Sequence, residues 1–179
     1  MTIAFLARDG DVSRAPESNV PEGLVWQVWR PGGKLALQAL AFDPLRWAVT
    51  VQHKLGLFED ERYTELGIWS AATLVHRLIV TPRWHRFPFM AAGDLQIGGL
   101  WTHPTWRRRG LARVAIERAH RLFAIPGQRF WYVTDSANAA SLALARGAGY
   151  RLIGEGRRTK PVGIALLGRF EIEHEFAPA

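Results

Sequence analysis

The 179-residue chain is predicted to form an α/β domain with a mixed sheet of α+β type. Three observations lead there. Hydrophobic residues make up 48% of the chain, enough to bury one sizeable core and too many for a disordered protein. The apolar period changes from helical spacing after Pro44 to strict alternation after Tyr63. From Asp94 onward, strand-like and helix-like segments then alternate, joined by Arg- and Gly-rich turns.

The elements follow in order. Residues 1–23 are polar and turn-rich, with Asp9-Gly10, Ser18-Asn19 and Pro21, and read as a flexible N-terminal arm. One domain is expected over 24–179. Leu24 to Arg30 has strand composition and is stopped by Pro31-Gly32-Gly33. Asp43 is suited to cap a helix and Pro44 to begin it, with Leu45, Ala48, Val49 and Leu55 on one face. Tyr63 to Ser70 and Thr73 to Val80 alternate as a hairpin across Ser70-Ala71-Ala72. An aromatic loop, Arg83 to Met90, leads to a strand over Asp94–Thr102, where the paired Gly98-Gly99 predicts a bulge or a close backbone approach. His103-Pro104 ends that strand. A helix opens at Arg107-Arg108-Arg109-Gly110, its apolar face drawn from Leu111, Val114, Ala115, Leu122 and Phe123. Phe130–Thr134 reads as a buried strand, Asp135–Arg146 as an Ala-rich helix, and Tyr150–Gly156 and Leu166–Phe176 as two last strands.

Charge and composition narrow the function. The absence of Cys excludes a disulfide scaffold and a thiolate metal site, so no metal is expected. The N-terminal apolar run is too short for a signal peptide, and no 18-residue apolar window exists. A cytoplasmic protein without membrane contact is expected. The net charge is +7, and 20 of the 23 basic residues are Arg. Between Gly67 and Ile116 seven arginines face one acid, Asp94, so +6 of that charge falls in the middle of the chain. Nucleic acid, an anionic surface or a phosphate-bearing small molecule would each suit a basic protein. Concentration of the charge around one strand–turn–helix unit favours the small molecule over nucleic acid. The free amides and dipole of a helix N-terminus, a Gly that lets a ligand approach, and three adjacent arginines make an anion site of pyrophosphate size. It is neither a Walker loop nor a dinucleotide fingerprint, because the residues of both are missing.

Arg107-x-x-Gly110-x-Ala112 resembles the acetyl-CoA signature of the GNAT (Gcn5-related N-acetyltransferase) superfamily. His103-Pro104 before it, and Asn138-x-x-Ser141 followed by Gly149-Tyr150 after it, are also similar to that family. The segment Arg86-Phe87-Pro88-Phe89-Met90 with Asp94-Leu95-Gln96-Ile97-Gly98 resembles a group of bacterial GNAT proteins. The resemblance implies a mostly antiparallel mixed sheet flanked by helices, with the fourth and fifth strands splayed. It implies acetyl-CoA as co-substrate. Backbone at Leu100, Trp101 and Thr102 would hold pantetheine, amides at Arg109, Gly110, Leu111 and Ala112 the pyrophosphate, and Arg107 and Arg108 would add charge. Asn138 and Ser141 belong to the same carried-over site.

The substrate amine would attack the thioester directly, and it must be neutral to do so. Asp94, the lone acid of the basic stretch, is the candidate base. Gln96 on the same strand face stands where many GNAT proteins carry Glu, and can orient a water. His85, in the aromatic loop, and His76, in a strand, are rival bases. Ala145 occupies the position where many relatives have a Tyr that protonates the thiolate, which leaves Tyr132, Tyr150 or water. Trp84, Phe87, Phe89 and Trp101 are candidates to line the acceptor pocket, or else core, and Arg83 and Arg86 to bind an anionic acceptor, or else solvated. The expected activity is N-acetylation of a small-molecule amine such as an amino sugar. The alternatives are acetylation of protein N-termini or lysines, and a non-catalytic CoA-binding module. A homodimer is a further expectation.

Overall fold

The computed structural model describes residues 1–10, 20–32, 44–159 and 168–176. In chain order they form β1 (Ile3–Asp9), β2 (Leu24–Trp29), α1 (Pro44–Lys54), β3 (Thr64–Ser70), β4 (Thr73–Pro82), β5 (Leu95–Thr102), α2 (Leu111–Phe123), β6 (Arg129–Asp135), α3 (Ala139–Gly147), β7 (Arg151–Arg158) and β8 (Phe170–Glu175). The strands make one sheet in the order β2-β3-β4-β5-β6-β1-β7-β8. Every neighbouring pair is antiparallel except β5 with β6. The expected mixed, mostly antiparallel sheet with flanking helices is the fold observed.

The N-terminal expectation is corrected. Residues 3–9 are no arm but an inner strand, hydrogen-bonded to β6 on one side and β7 on the other. Phe5 and Leu6 are fully buried and Ile3, Ala4 and Ala7 nearly so. A continuous apolar run is what a strand covered on both faces requires, and such a run shows no alternation to read. Residues 11–19 of the expected arm, and the expected cap Asp43, lie outside the described residues.

The hairpin of β3 and β4 forms as predicted, with Ala71 at φ 50° in its turn. The first Arg-rich helix begins at Leu111 rather than Arg107. A short 3-10 turn over Pro104–Trp106 and an irregular stretch precede it. The second begins at Ala139, because Asn138 caps it by accepting the Ser141 amide at 3.0 Å. Leu122, placed on the apolar face of α2 by spacing, is exposed, while Ala115, Ile116, Ala119 and Phe123 are buried.

Two layers cover the sheet. On one face α2 and α3 pack over Leu6, Leu66, Leu78, Leu95, Ile97, Phe130 and Tyr132. Each such side chain contributes roughly 1.5–3 kcal/mol by leaving water. Within this layer Arg8 Nη1 lies 3.1 Å from His120 Nδ1, and His120 Nε2 lies 2.8 Å from the Tyr150 hydroxyl, tying β1, α2 and the end of α3 together. On the other face α1 packs through Val49 onto Trp29 and Ile79, with Phe58 and Tyr63 closing the cluster. Beside it the aromatic loop folds back on Ile3, Phe5, Ala7 and Trp131.

Candidate active site

The parallel pairing of β5 with β6 stops early. It covers Leu95–Phe130, Gln96–Trp131 and Ile97–Tyr132, although β5 runs on to Thr102 and β6 to Asp135. Beyond that rung the two strands part. On its other side β5 stays paired with β4, but with one extra residue: Ile79 faces Gly98 and Arg77 faces Trp101. That bulge falls on the two glycines, as the sequence predicts. Gly99 takes φ 58°, and a Cβ there would meet Ile79 Cδ1 at 2.5 Å. The bulge turns β5 away from β6. Among the described residues, the backbone from Gly98 to Thr102 has no strand partner on the β6 side.

The open wedge leads to the start of α2. Gly110 precedes the helix at φ 76°, Arg108 sits at φ 60°, and among the described residues no side chain caps the helix or places a negative charge in its first turn. The first intrahelical acceptance is by the Gly110 carbonyl from Val114 N, so the amides of Leu111, Ala112 and Arg113 have no acceptor within the helix. A cavity of about 320 Å³ opens there, bounded by Thr102, Arg107, Arg108, Gly110 and Ala112 and, from α3, by Ala140 and Leu144. Open space surrounds Gly110, with nothing within 4 Å of a built Cβ. The geometry is that of an anion site: free amides, the positive end of a helix and arginines around an open cavity.

The site is held from beneath. Arg107 Nε donates to the Thr102 carbonyl at 3.3 Å, and Arg109 lies over the Trp106 ring at 4.6 Å. Thr102 Oγ1 is 2.8 Å from Nδ1 of His76, which is fully buried on β4. Burial lowers the His76 pKa to about 4, so the ring is neutral near pH 7. His76 therefore sits beneath the anion site as a support.

The other predicted residues scatter. Leu100 and Thr102 are half-buried and Trp101 is exposed, all on the parted stretch of β5. Asn138 and Ser141 lie at the start of α3, and Ser141 bonds the Tyr132 hydroxyl. Tyr132 stands on the last rung before the wedge, and burial raises its pKa, so it keeps its proton. Tyr150 is closed off by its bond to His120. Asp94 does not reach the wedge. It is buried just before β5, and its carboxylate accepts from Ala91 N (3.0 Å), Trp131 Nε1 (2.8 Å) and Arg129 N (2.9 Å). Gln96 does reach it: its amide lies over Gly98, where a Cβ would come within 2.5 Å of Nε2, and it donates to the Ile97 carbonyl. His85 lies past the far end of β4, exposed, in a cavity of about 260 Å³ with Glu59, Arg83, Trp84 and Arg169.

This placement decides between the sequence alternatives for the aromatic loop and divides the charged segment. Phe87 and Phe89 are core, the latter edge-on to Phe5 and Trp131 at 4.9 Å each. The +6 of the middle segment is not one patch. Arg107–Arg109 border the anion site, while Arg83 pairs loosely with Glu59 and Arg86 stacks on Trp84 and Phe170 beyond the other end of β4. Sequence reading also missed Glu65. It is a buried carboxylate on β3, bonded twice by Arg46 of α1 at 2.6 and 3.3 Å. No signal in the alternating Thr64-Glu65-Leu66 marks it as buried.

A family model described as Acetyltransferase (GNAT) family matches residues 40–150. None of the curated proteins matches the chain. Among solved structures it is similar to a putative GNAT-family acetyltransferase from Novosphingobium aromaticivorans, with 21% identity over 86% of this chain and 60% of that one, at a TM-score of 0.54. It is similar too to a GCN5-related N-acetyltransferase from Sphaerobacter thermophilus, with 17% identity over 86% and 49%, at 0.58. An aminoglycoside N-acetyltransferase in complex with CoA shares 12% over 71% and 91%, at 0.50. At these identities the likeness is one of fold. The chain spans about half the length of several of these structures, 58% and 48% in two others.

Proposed function

The chain belongs to the GNAT acetyltransferase family, and from that premise we propose that it moves an acetyl group from acetyl-CoA to the amine of a small molecule such as an amino sugar. The observation that carries this reading is the wedge between β5 and β6 opening onto the uncapped start of α2. The pyrophosphate would lie on the amides of residues 110–112, with Arg107 and Arg108 beside it. Pantetheine would lie along Leu100–Thr102 in the wedge, and the α3 start, with Asn138 and Ser141, would form the opposite wall. The solved relative with CoA supports the donor.

The thioester carbon would then sit by Gly98. The neutral amine adds to it, the carbonyl oxygen becomes an oxyanion held by β5 backbone amides, and the C–S bond breaks as the carbonyl re-forms. The amine's proton leaves through a water oriented by the Gln96 amide, since Asp94 is engaged with three donors and His85 lies beyond the other end of β4. Tyr132, kept protonated by burial at the apex of the wedge, is the best-placed donor to the leaving thiolate. Ala145 is fully buried and supplies nothing.

Gly110→Asp tests the reading. It puts a like charge into the anion site and a side chain on a left-handed residue. Affinity for acetyl-CoA, measured by calorimetry, should fall about 100-fold or more, equal to roughly 3 kcal/mol. Wild-type affinity in that variant would refute the placement. Thiol release from acetyl-CoA that needs an added amine establishes the transfer.

A further inference from the structure

The wedge between β5 and β6 ends blind. Its last closed rung pairs Ile97 with Tyr132, and Gly98 is the first residue of β5 beyond it. On the sheet face that carries α1, the space a side chain would fill at Gly98 and Gly99 is already taken. A Cβ on Gly98 would lie 2.5 Å from Gln96 Nε2 and 2.9 Å from Gln96 Oε1, and one on Gly99 would lie 2.5 Å from Ile79 Cδ1. Gln96 is buried, and its Nε2 donates to the Ile97 carbonyl at 2.9 Å, which anchors the amide across Gly98. Ile79 of β4 stands opposite Gly98 and is buried in the cluster under α1. On the other face the Tyr132 ring fills the same level, bonded by Ser141 and edge-on to Tyr150 with centroids 5.8 Å apart. The apex is thus closed along the strands by the rung, above by Gln96 and Ile79, and below by Tyr132.

We propose that Gln96, backed by Ile79, sets the length of the acyl group, so that the site takes acetyl and excludes butyryl and longer straight chains. The inference rests on the acetyl-transfer reading above, which puts the thioester carbon by Gly98, and adds to it the side chain that limits the donor. One strand residue, roughly 3.3 Å, separates Gly98 from the closed rung. Two carbons in contact stand about 3.5–4.0 Å apart. A carbonyl carbon at Gly98 therefore leaves room for one methyl group before the rung. A longer chain has to leave the plane of the sheet, and there it meets the Gln96 amide. Of the two side chains on that face, Gln96 is the determining one. Its amide lies over Gly98 itself, whereas the Ile79 methyl lies over Gly99, one residue nearer the mouth. Shortening Gln96 to Ala removes roughly as many non-hydrogen atoms as hexanoyl adds to acetyl. It would leave a channel along β5 between Thr81 and Trp131, the cross-strand partners of Gln96. Shortening Ile79 to Val removes only Cδ1, a mild change for a core residue.

Calorimetry on the full chain tests this, with CoA, acetyl-CoA and hexanoyl-CoA as probes and no amine present. The wild-type chain should bind hexanoyl-CoA at least ten-fold more weakly than acetyl-CoA. Gln96→Ala should narrow that gap to within about three-fold, and Ile79→Val should narrow it by about two-fold. Affinity for CoA itself should stay within two-fold in both variants, which shows that the fold and the anion site stand. The kcat/KM ratio of hexanoyl-CoA to acetyl-CoA with one fixed amine should rise in step. The ratio is the readout, because Gln96→Ala also loses the amide that orients water and so slows both donors. Hexanoyl-CoA bound by the wild-type chain as tightly as acetyl-CoA overturns the assignment, as does an unchanged gap in Gln96→Ala with CoA affinity retained. Should Gln96→Ala lose CoA binding, an unchanged gap in Ile79→Val overturns it in the same way. No binding of CoA by the wild-type chain would instead overturn the acetyl-transfer reading. With CoA bound and both acyl donors bound alike, only the chain-length limit falls.

Discussion

Asp94 shows how a residue's partners decide its role. By sequence it is the one carboxylate among seven arginines and invites the part of a base. In the fold it meets none of those arginines. Its two oxygens instead gather the Ala91 amide at the loop end and the Arg129 amide and Trp131 indole on β6. These bonds pin the start of β5 against the start of β6, which keeps the paired end closed while the far end parts. In Asp94→Asn one oxygen becomes an NH₂ that faces a donor, so at least one buried N–H loses its acceptor. The expected loss of stability is about 1–3 kcal/mol by urea unfolding, with the shape of the pH–rate profile retained. Wild-type stability together with a displaced profile would restore Asp94 as the base.

Among the elements, β1 departs furthest from its sequence reading, and it sits where the sheet needs it. The chain passes from β6 through α3 to β7 and leaves one strand-wide slot between them, which β1 fills from the far end of the sequence. Phe5 is fully buried in that slot, edge-on to Phe89 at 4.9 Å. Phe5→Ala should destabilise the protein by about 3–5 kcal/mol in thermal or urea unfolding. A loosely held arm would give no measurable change. The reason β1 escapes a sequence reading is local: Ile3 to Ala7 is apolar without alternation, and Asp9-Gly10 after it suggests a tail. The hairpin, the Gly98-Gly99 bulge and the Arg107–Ala112 turn were legible because each carries its cause within a few residues. Alternation marks two half-covered strands, paired glycines mark a close approach, and glycine before an apolar helical face marks an uncapped start. Glu65 and Asp94 were not, since what defines them comes from afar. Arg46 precedes Glu65 by 19 residues, and the β6 partners of Asp94 follow it by 35 and 37.

At the scale of the whole molecule, the layer beneath α2 makes the fold sensitive to mild acid. Two histidines are buried on that face. His76 of β4 meets Thr102, and burial lowers its pKa from 6.5 to about 4. His120 of α2 meets Tyr150 and Arg8, and burial together with the Arg8 charge outweighs Glu117 and lowers its pKa from 6.5 to about 3. Both rings are neutral in the fold and free to protonate once unfolded. Below pH 6.5 the unfolded chain therefore binds more protons than the native one, so stability falls with pH until the native pKa values are reached. Each pH unit in this window costs about 1.4 kcal/mol per histidine, so the protein should be weaker by about 4 kcal/mol at pH 5 than at pH 7.5. The window from 6.5 to 5 lies above the ordinary carboxylate range, which leaves the histidines as the main titrating groups. Urea unfolding across these values measures the slope, and His120→Asn should remove about half of it. A stability independent of pH between 6.5 and 5 would show that these rings are reached by water in the native protein.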